Sequence, residues 1–308
     1  MKKIKWLRLF FLLAISFALQ IVFHELWNFF FSKEKPNIVI NNEGEYFDPS
    51  LLRLNSISKF IDHCDSVYGN GQISAADTDQ YATIVSLTLR GRFYHGYSYY
   101  KLGQNFLANV FAPFIHKDLS AIVIPDDILK HPNAACSQQS IIGMEVFRKK
   151  GFNVRKIGFF NKNYGGHFCF EAFYNGKWHF FDPDLEPAIN TMIALHHPSI
   201  AELSIDHGLI RKLYAWHETN YMADAVTTFS YGKVNKFPAP NARIYQYATK
   251  YLSYTLWFWL ILLYFFIRKK INRLDKKKYP ELQSFVVPKT QPLMDLKKLF
   301  VLLGKKIK

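Results

Sequence analysis

The sequence predicts an α+β domain held between two membrane-spanning helices. Two long apolar stretches lie near the two ends of the 308-residue chain. Between them, a helical run that starts near Cys136 is followed by three strand candidates, two of which are joined by an Asn-Gly turn. The chain carries a net charge of +15 at pH 7, and most of that charge lies beside the two apolar stretches. This pattern favours an anchored globular domain over a soluble basic protein.

The first apolar stretch, Trp6–Phe23, follows three lysines at the start of the chain. Its central part, Leu9–Leu19, has the length of a signal-peptide core as well as that of part of a membrane anchor. Bulky residues follow where a signal peptide would carry a small-residue cleavage site. We therefore favour an uncleaved anchor over residues 1–31, and both alternatives leave the middle of the chain on the same side of the membrane.

The second apolar stretch, Tyr251–Ile267, contains no charged residue and ends at Arg268, Lys269 and Lys270. At about 1.5 Å per residue it forms a helix of about 26 Å, close to the hydrocarbon thickness of a bilayer. Tyrosine and tryptophan residues concentrate at its start, as they do at membrane interfaces. The alternative is a buried core helix. The sequence therefore predicts a second span over residues 251–267.

The distribution of charge predicts the orientation. Residues 1–8 carry +4 and residues 268–308 carry +10, which leaves +1 for residues 9–267. By the positive-inside rule, both ends are expected in the cytoplasm and residues 32–250 on the extracytoplasmic, or periplasmic, side of a multi-pass protein of the cytoplasmic membrane. A nearly neutral domain also argues against a nucleic-acid partner, which requires a basic face on the folded domain. The basic, amphipathic end of the 268–308 tail suits the membrane surface, with a partner-binding helix as the alternative.

Within the domain, the spacing of apolar residues predicts a helix over Leu51–Cys64 and a second helix that opens near Ser74 and continues to Arg92. A third helix follows the Cys136 region, with Asn133 as its expected cap and Gly151 as its stop. Three strands are predicted next, at residues 152–160, 167–174 and 177–184. Residues 199–247 read as mixed and mostly helical, without an assigned role.

The Asn175-Gly176 turn predicts the register of the last two strands. If these two residues form the loop, Tyr174 faces Lys177 and Asp182 falls opposite Cys169. His167 and Asp182 are then diagonal neighbours on one face of the sheet. A carboxylate beside an imidazole fixes its tautomer and stabilises its protonated form. Asp184 takes the same role if the register shifts.

Cys136 is the candidate nucleophile that this His–Asp pair would serve. A thiol at the start of a helix, next to an imidazolium, is favoured as the thiolate, which attacks acyl carbons. The alternative is an inert buried thiol, since free cysteine is often buried. The chain has three cysteines, too few for a disulfide framework, and a pair between Cys64 and Cys169 stays open. We expect no cofactor and no metal, because the sequence has no CxxC, HExxH or spaced Cys/His cluster.

Over roughly residues 125–187 the chain resembles the transglutaminase-like superfamily, a branch of the papain-like cysteine enzymes. The resemblance rests on "DDILKHPNAACSQQS", "KKGFNVRKIGFF" and "GGHFCFEAFYNGKWHFFDPD". It implies a core of N-terminal helices packed on an antiparallel sheet, flanked here by the two transmembrane helices. It also implies a catalytic triad of Cys136, His167 and Asp182. Arg155 matches a strand arginine of the family and Trp178 an aromatic that supports the site, whereas Ala134 replaces the family's glycine two residues before the nucleophile.

The resemblance further implies an oxyanion donor some tens of residues upstream of the nucleophile, with Tyr100, Gln104 and Asn105 as the candidates. The expected activity is thioester-mediated acyl chemistry on a peptide or protein amide, as a hydrolase (peptidase or amidase) or an acyltransferase. The alternative function is a catalytically silent module that binds a cell-envelope protein partner. The lipid bilayer is the other expected partner.

Overall fold

The computed structural model describes residues 2–31, 46–69, 78–116, 119–161, 165–215 and 228–278. The described residues fall into two compact units, of which one comprises Gln20–Thr255 and the other the helical segments before Gln20 and after Thr255. The α-helices are α1 (Lys2–Phe31), α2 (Ile57–Tyr68), α3 (Thr78–Arg92), α4 (Phe106–Ile115), α5 (Pro125–Ile128), α6 (Cys136–Lys149), α7 (Ile189–Ala194), α8 (Ile200–Leu203), α9 (His207–Leu213) and α10 (Pro240–Lys278). The strands are β1 (Asn153–Asn161), β2 (Gly165–Tyr174), β3 (Lys177–Phe181) and β4 (Phe229–Tyr231). The chain is therefore α+β, as predicted.

The first predicted helix of the domain is two elements rather than one. A 3-10 helix covers Pro49–Arg53, and α2 starts afresh at Ile57. The break occurs because the Ser56 hydroxyl accepts the Lys59 N–H at 3.3 Å and so caps a new helix. The predicted opening of the second helix at Ser74 lies outside the described residues. Helix α3 ends at Arg92, as predicted.

The four strands form one antiparallel sheet in the order β3-β2-β1-β4. Tyr174 pairs with Lys177, which confirms the register that the Asn175-Gly176 turn predicts. Both turn residues have positive φ, 49° and 79°, as the tight hairpin requires. Pairing between β2 and β3 ends at Phe181, so Asp182 and Asp184 follow the strand instead of belonging to it.

The sheet is covered on both faces, which explains why its strands are apolar on both sides. One face, with Phe170 and Phe181, packs against helices α2, α3 and α6. Gly143 allows α6 to approach closely, because a Cβ at this position would lie 2.5 Å from the Phe170 ring. The opposite face, with Ile157 and Cys169, packs against α7, α8 and α9. The Ser140 hydroxyl of α6 donates to the Phe168 carbonyl at 2.9 Å, so the end of β2 that carries His167 lies beside the start of α6.

One helix among the described residues, over Pro240–Arg273, is long and apolar enough to cross a membrane by length and composition. It contains the whole predicted span 251–267. The apolar stretch Leu9–Phe23 of helix α1 is shorter, so a second crossing stays a prediction. Residues 279–308, which include the amphipathic end of the tail, lie outside the described residues.

Candidate active site

Cys136 is the first residue of helix α6, and a neighbouring strand-like segment holds the chain that leads into it. Ala134 donates its N–H to the Tyr94 carbonyl at 3.1 Å, and Tyr94 donates to the Pro132 carbonyl at 3.2 Å. The Gln138 side-chain oxygen accepts the Ala135 N–H at 3.3 Å and thereby caps the helix from within its first turn. The Cys136 residue is 7% exposed. These hydrogen bonds therefore hold the start of α6, and with it the Cys136 thiol, in place.

A buried arginine supports the turn ahead of this helix. Arg92 donates from Nη1 to the His131 carbonyl at 3.0 Å, from Nε to the Leu54 carbonyl at 3.3 Å, and from Nη2 to the Leu129 carbonyl. The rigid guanidinium satisfies three backbone carbonyls that would otherwise be buried without a partner. Burial lowers the pKa of Arg92 to about 10, so this side chain remains charged at neutral pH.

His167 lies between the thiol and a carboxylate. Its Nε2 is 2.8 Å from Asp182 Oδ2, and its imidazole is also hydrogen-bonded to the Cys136 side chain. Burial opposes protonation of His167, but the charge and hydrogen bond of Asp182 outweigh burial and raise the pKa of the imidazole well above its usual range. The imidazolium is consequently the favoured form at neutral pH.

Asp182 is fully buried and accepts hydrogen bonds from three sources. Besides His167, the Tyr214 hydroxyl donates to Oδ2 at 3.0 Å and the Leu185 N–H donates to Oδ1 at 3.2 Å. Burial alone would raise the pKa of this carboxyl, but the neighbouring His167 and these donors lower it below its ordinary value. A buried, ionised Asp182 therefore faces a protonated His167.

Asp184 supplies a second carboxylate to the same site. One ligand atom each from Cys136, His167 and Asp184 lies within 4.8 Å of the other two. The Asp184 carboxylate is itself held by Gln139 Nε2 at 2.8 Å and by His95 Nδ1 at 2.9 Å. Asp182, and not Asp184, is the carboxylate that is hydrogen-bonded to the His167 imidazole.

The donor atoms at this site are also of the types that bind divalent metals. His167 contributes to two such groups: one with Cys136 and Asp184, and one with Cys169 and Asp182, each within 4.8 Å. Cys169 is fully buried on the same strand, and burial raises the pKa of its thiol well above the usual range. The expectation of no metal stays a prediction.

The three predicted oxyanion donors are hydrogen-bonded to other groups of the domain, and their role as oxyanion donors stays a prediction. The Tyr100 hydroxyl donates to Asp127 Oδ2 at 2.9 Å. The Gln104 side-chain oxygen accepts the Lys101 N–H at 3.0 Å. Asn105 caps helix α4 and donates to the Gln246 carbonyl on α10 at 3.1 Å. The Asn105 contact joins the start of α10 to the domain.

Trp178, the predicted supporting aromatic, and Arg155 lie together near the hairpin end of the sheet. The supporting role of Trp178 at the site stays a prediction. Trp178 is four residues before Asp182, near the hairpin turn, with its ring centroid 5.3 Å from that of Phe173. The Arg155 guanidinium lies 4.1 Å from the Trp178 ring and 3.7 Å from the Tyr231 ring, and it pairs with buried Glu171 at 2.6 Å. This cluster stabilises the far end of the sheet.

The sequence did not indicate three residues that contact the two site carboxylates. Tyr214 lies in a region without an assigned role, and Gln139 and His95 had no assigned partner. A helix position offers one signal: Gln139 is three residues after Cys136 and so lies near it on α6. The contacts of His95 and Tyr214 depend on distant segments. The three cysteines are free and buried in the structure.

No family model matches the chain. No curated protein matches it either. A solved structure described as "Crystal structure of a TGase" is similar to the chain with 14% sequence identity and a TM-score of 0.27. That similarity covers 49% of this chain and 35% of the solved one.

Proposed function

We propose that the chain is a membrane-anchored, transglutaminase-like cysteine enzyme that performs thioester-mediated acyl chemistry on an amide outside the cytoplasmic membrane. The observation that carries the proposal is the hydrogen bonding of one imidazole, His167, to both the Cys136 thiol and the buried Asp182 carboxylate. A thiol, an imidazole and an orienting carboxylate from three separate elements are the parts that acyl transfer through sulfur requires.

The chemistry follows from the protonation states. His167 already holds the proton as the imidazolium, and the Cys136 thiolate beside it attacks the amide carbonyl carbon to form a C–S bond. As the C–N bond breaks, the His167 imidazolium gives the proton to the departing amine. The thioester is then cleaved by water in a hydrolase, or by a second amine in an acyltransferase. Asp182 keeps the imidazole oriented and stabilises its positive charge throughout.

Alkylation of Cys136 by iodoacetamide tests the proposal without knowledge of the substrate. We expect one rapidly labelled cysteine per chain near neutral pH, located at Cys136 by peptide mass spectrometry, because Cys64 and Cys169 have no exposed surface whereas Cys136 is 7% exposed. His167→Ala should slow that labelling at least tenfold. His63→Ala is the matched control, since His63 is hydrogen-bonded to Arg53 at 3.2 Å. Labelling that is slow and indifferent to His167 would reject the enzyme.

The second candidate function is a catalytically silent module that binds a cell-envelope protein. Its support is the engagement of Tyr100, Gln104 and Asn105 with other parts of the domain, together with Ala134 in place of a glycine. An acyl-transfer enzyme needs a second oxyanion donor besides the Cys136 N–H. The labelling experiment separates the two functions, because a silent module has no need of an activated thiol.

A further inference from the structure

A cavity of about 490 Å³ lies beside the first turn of helix α6. Its wall includes Ser137 and Ser140 from α6, Phe168 from β2 and Lys156 from β1. Tyr97 and Tyr99, from the segment after α3, form another side. Its volume is within the range of pockets that take small molecules or substrate side chains.

Two residues that line the cavity are the chain neighbours of Cys136 and His167. Ser137 directly follows Cys136, and Phe168 directly follows His167. The Ser140 hydroxyl donates to the Phe168 carbonyl at 2.9 Å, which joins the two walls within one helical turn of the thiol. A molecule seated in the cavity would therefore lie beside the first turn of α6, the turn that begins with Cys136.

The lining is aromatic and apolar, with one charge. Tyr97 and Tyr99 are 49% and 51% exposed, and their ring centroids are 6.0 Å apart. Half-exposed aromatic pairs of this kind are typical of ligand-binding rims. Among the residues that line the cavity, Lys156 alone is charged. Its ammonium lies 4.8 Å from the Phe168 ring centroid, and within the described part of the chain no carboxylate pairs with it.

The Gln138 side chain in the cavity wall is already committed to backbone groups. The Gln138 amide donates to the Ile122 and Ser98 carbonyls at 2.7 and 3.1 Å. Its oxygen accepts the Ser98 N–H at 2.9 Å. Lys156 is the charged group in the wall that can bind an anionic ligand group, and its ammonium donates hydrogen bonds without accepting any.

We propose that this cavity selects the substrate: an amide that carries an aromatic or branched apolar group and, next to it, a carboxylate that binds Lys156. The inference rests on the proposed function, since it takes Cys136 as the reacting group. Aromatic walls accommodate the apolar group, and the carboxylate supplies a countercharge for the Lys156 ammonium. Ser137 and Phe168 place the wall of the cavity one residue along the chain from the thiol and the imidazole.

Four alkylating probes test the cavity on the full-length chain in detergent. They are iodoacetamide, N-iodoacetylglycine, N-iodoacetylphenethylamine and N-iodoacetylphenylalanine, so that the carboxylate and the aromatic ring are present separately and together. Each rate is divided by the rate of the same probe with glutathione. We expect N-iodoacetylphenylalanine to label Cys136 at least about tenfold faster than iodoacetamide, with saturation at high probe concentration. The two probes with one feature should fall between.

Two variants assign the preference to the cavity. Lys156→Gln should reduce N-iodoacetylphenylalanine labelling to the rate of the phenethylamine probe, and Tyr99→Ala, at a half-exposed position, should weaken both aromatic probes. Lys177→Gln, at an exposed position on β3, is the control. An unchanged probe preference in both cavity variants, or equal normalised rates for all four probes, overturns the cavity proposal. Those results leave the proposed function standing if iodoacetamide labelling still depends on His167; if that dependence is lost, the function itself is rejected.

Discussion

Asp182 Oδ2 lies 2.8 Å from His167 Nε2, although Asp182 is one residue beyond the end of strand β3. The pairing of β2 with β3 carries the two residues to one face of the sheet, and the chain then turns so that Leu185 donates its N–H back to the same carboxylate. The turn has a functional consequence, since it buries the carboxylate beside the imidazole that it orients.

Asp182→Asn is expected to slow the alkylation of Cys136 about tenfold or more at pH 7. The Asp182 charge is what raises the pKa of His167, so its loss lets burial dominate and leaves the imidazole neutral at neutral pH. The measurement is the iodoacetamide rate of wild type and variant at pH 7. Tyr214→Phe, which removes one donor to Asp182 and keeps the His167 contact, should have a smaller effect. Equal rates in wild type and Asp182→Asn would contradict the role of this carboxylate.

Asp184→Asn is expected to accelerate the labelling of Cys136 severalfold, whereas Asp182→Asn is expected to slow it. Asp184 has a ligand atom within 4.8 Å of those of Cys136 and His167, so its charge disfavours the thiolate by like-charge repulsion. Asparagine keeps the shape and accepts the Gln139 hydrogen bond. The measurement is the iodoacetamide rate at pH 7. A tenfold decrease, like that of Asp182→Asn, would show instead that Asp184 orients the imidazole.

The geometry of His167 and Asp182 could be predicted because a two-residue turn fixes a hairpin register locally. Asn175 and Gly176 both adopt the positive φ that such a turn requires, and the pairing of every β3 residue follows. The start of α6 was predicted less well. Asn133 was the expected cap, but its amide donates to the Tyr97 carbonyl at 2.8 Å, so the helix begins at Cys136 and Gln138 caps it instead. A contact with a distant segment outweighed a local capping preference.

The rest of the site could not be predicted, because it depends on contacts between remote segments. Strand β4 is three residues long and pairs with β1 across more than seventy residues of chain. Such a short strand has no period that sequence reasoning can detect. Tyr214 reaches Asp182 from helix α9, and His95 reaches Asp184 from the segment after α3. Neither contact leaves a local pattern in the sequence.

Arg92→Met is expected to lower the free energy of unfolding by about 3 kcal/mol, because three buried carbonyls lose their donors. Arg92→Lys keeps the charge but cannot reach all three carbonyls, so we expect a loss of about 2 kcal/mol. Arg53→Met, at an exposed position, should stay within about 0.5 kcal/mol of wild type. Denaturant unfolding followed by tryptophan fluorescence provides the measurement. A stable Arg92→Met variant would show that water replaces the guanidinium.

Glu186→Gln is expected to reduce the pH dependence of stability. Burial, together with the nearby Asp182 charge, raises the pKa of Glu186 to about 8, despite the hydrogen bond from Ser86 and the charge of Arg90. Because the folded-state pKa lies above the unfolded value of about 4.5, the folded state binds the extra proton and stability falls as pH rises from about 4.5 to about 8. The Tm of the wild type should therefore drop more between pH 5 and 9 than that of the variant, by a few °C. Glu145→Gln, at the Arg148 pair on α6, is the control; equal slopes in wild type and Glu186→Gln would mean that Glu186 is already ionised in the folded protein.

The predicted orientation of the domain in the membrane can be tested with two reporter fusions, one at each side of the predicted spans. A reporter fused after Lys308 is expected in the cytoplasm, and one inserted at Asn41, which is outside the described residues, on the opposite side. The reason is the charge distribution, since residues 268–308 carry +10 and residues 9–267 carry +1. Removal of the positive charge at Arg268, Lys269 and Lys270 should produce a mixed orientation, whereas substitution of the same number of lysines within the domain should not. A cytoplasmic reporter at Asn41 would place the Cys136 site in the cytoplasm and would exclude an envelope amide as its substrate.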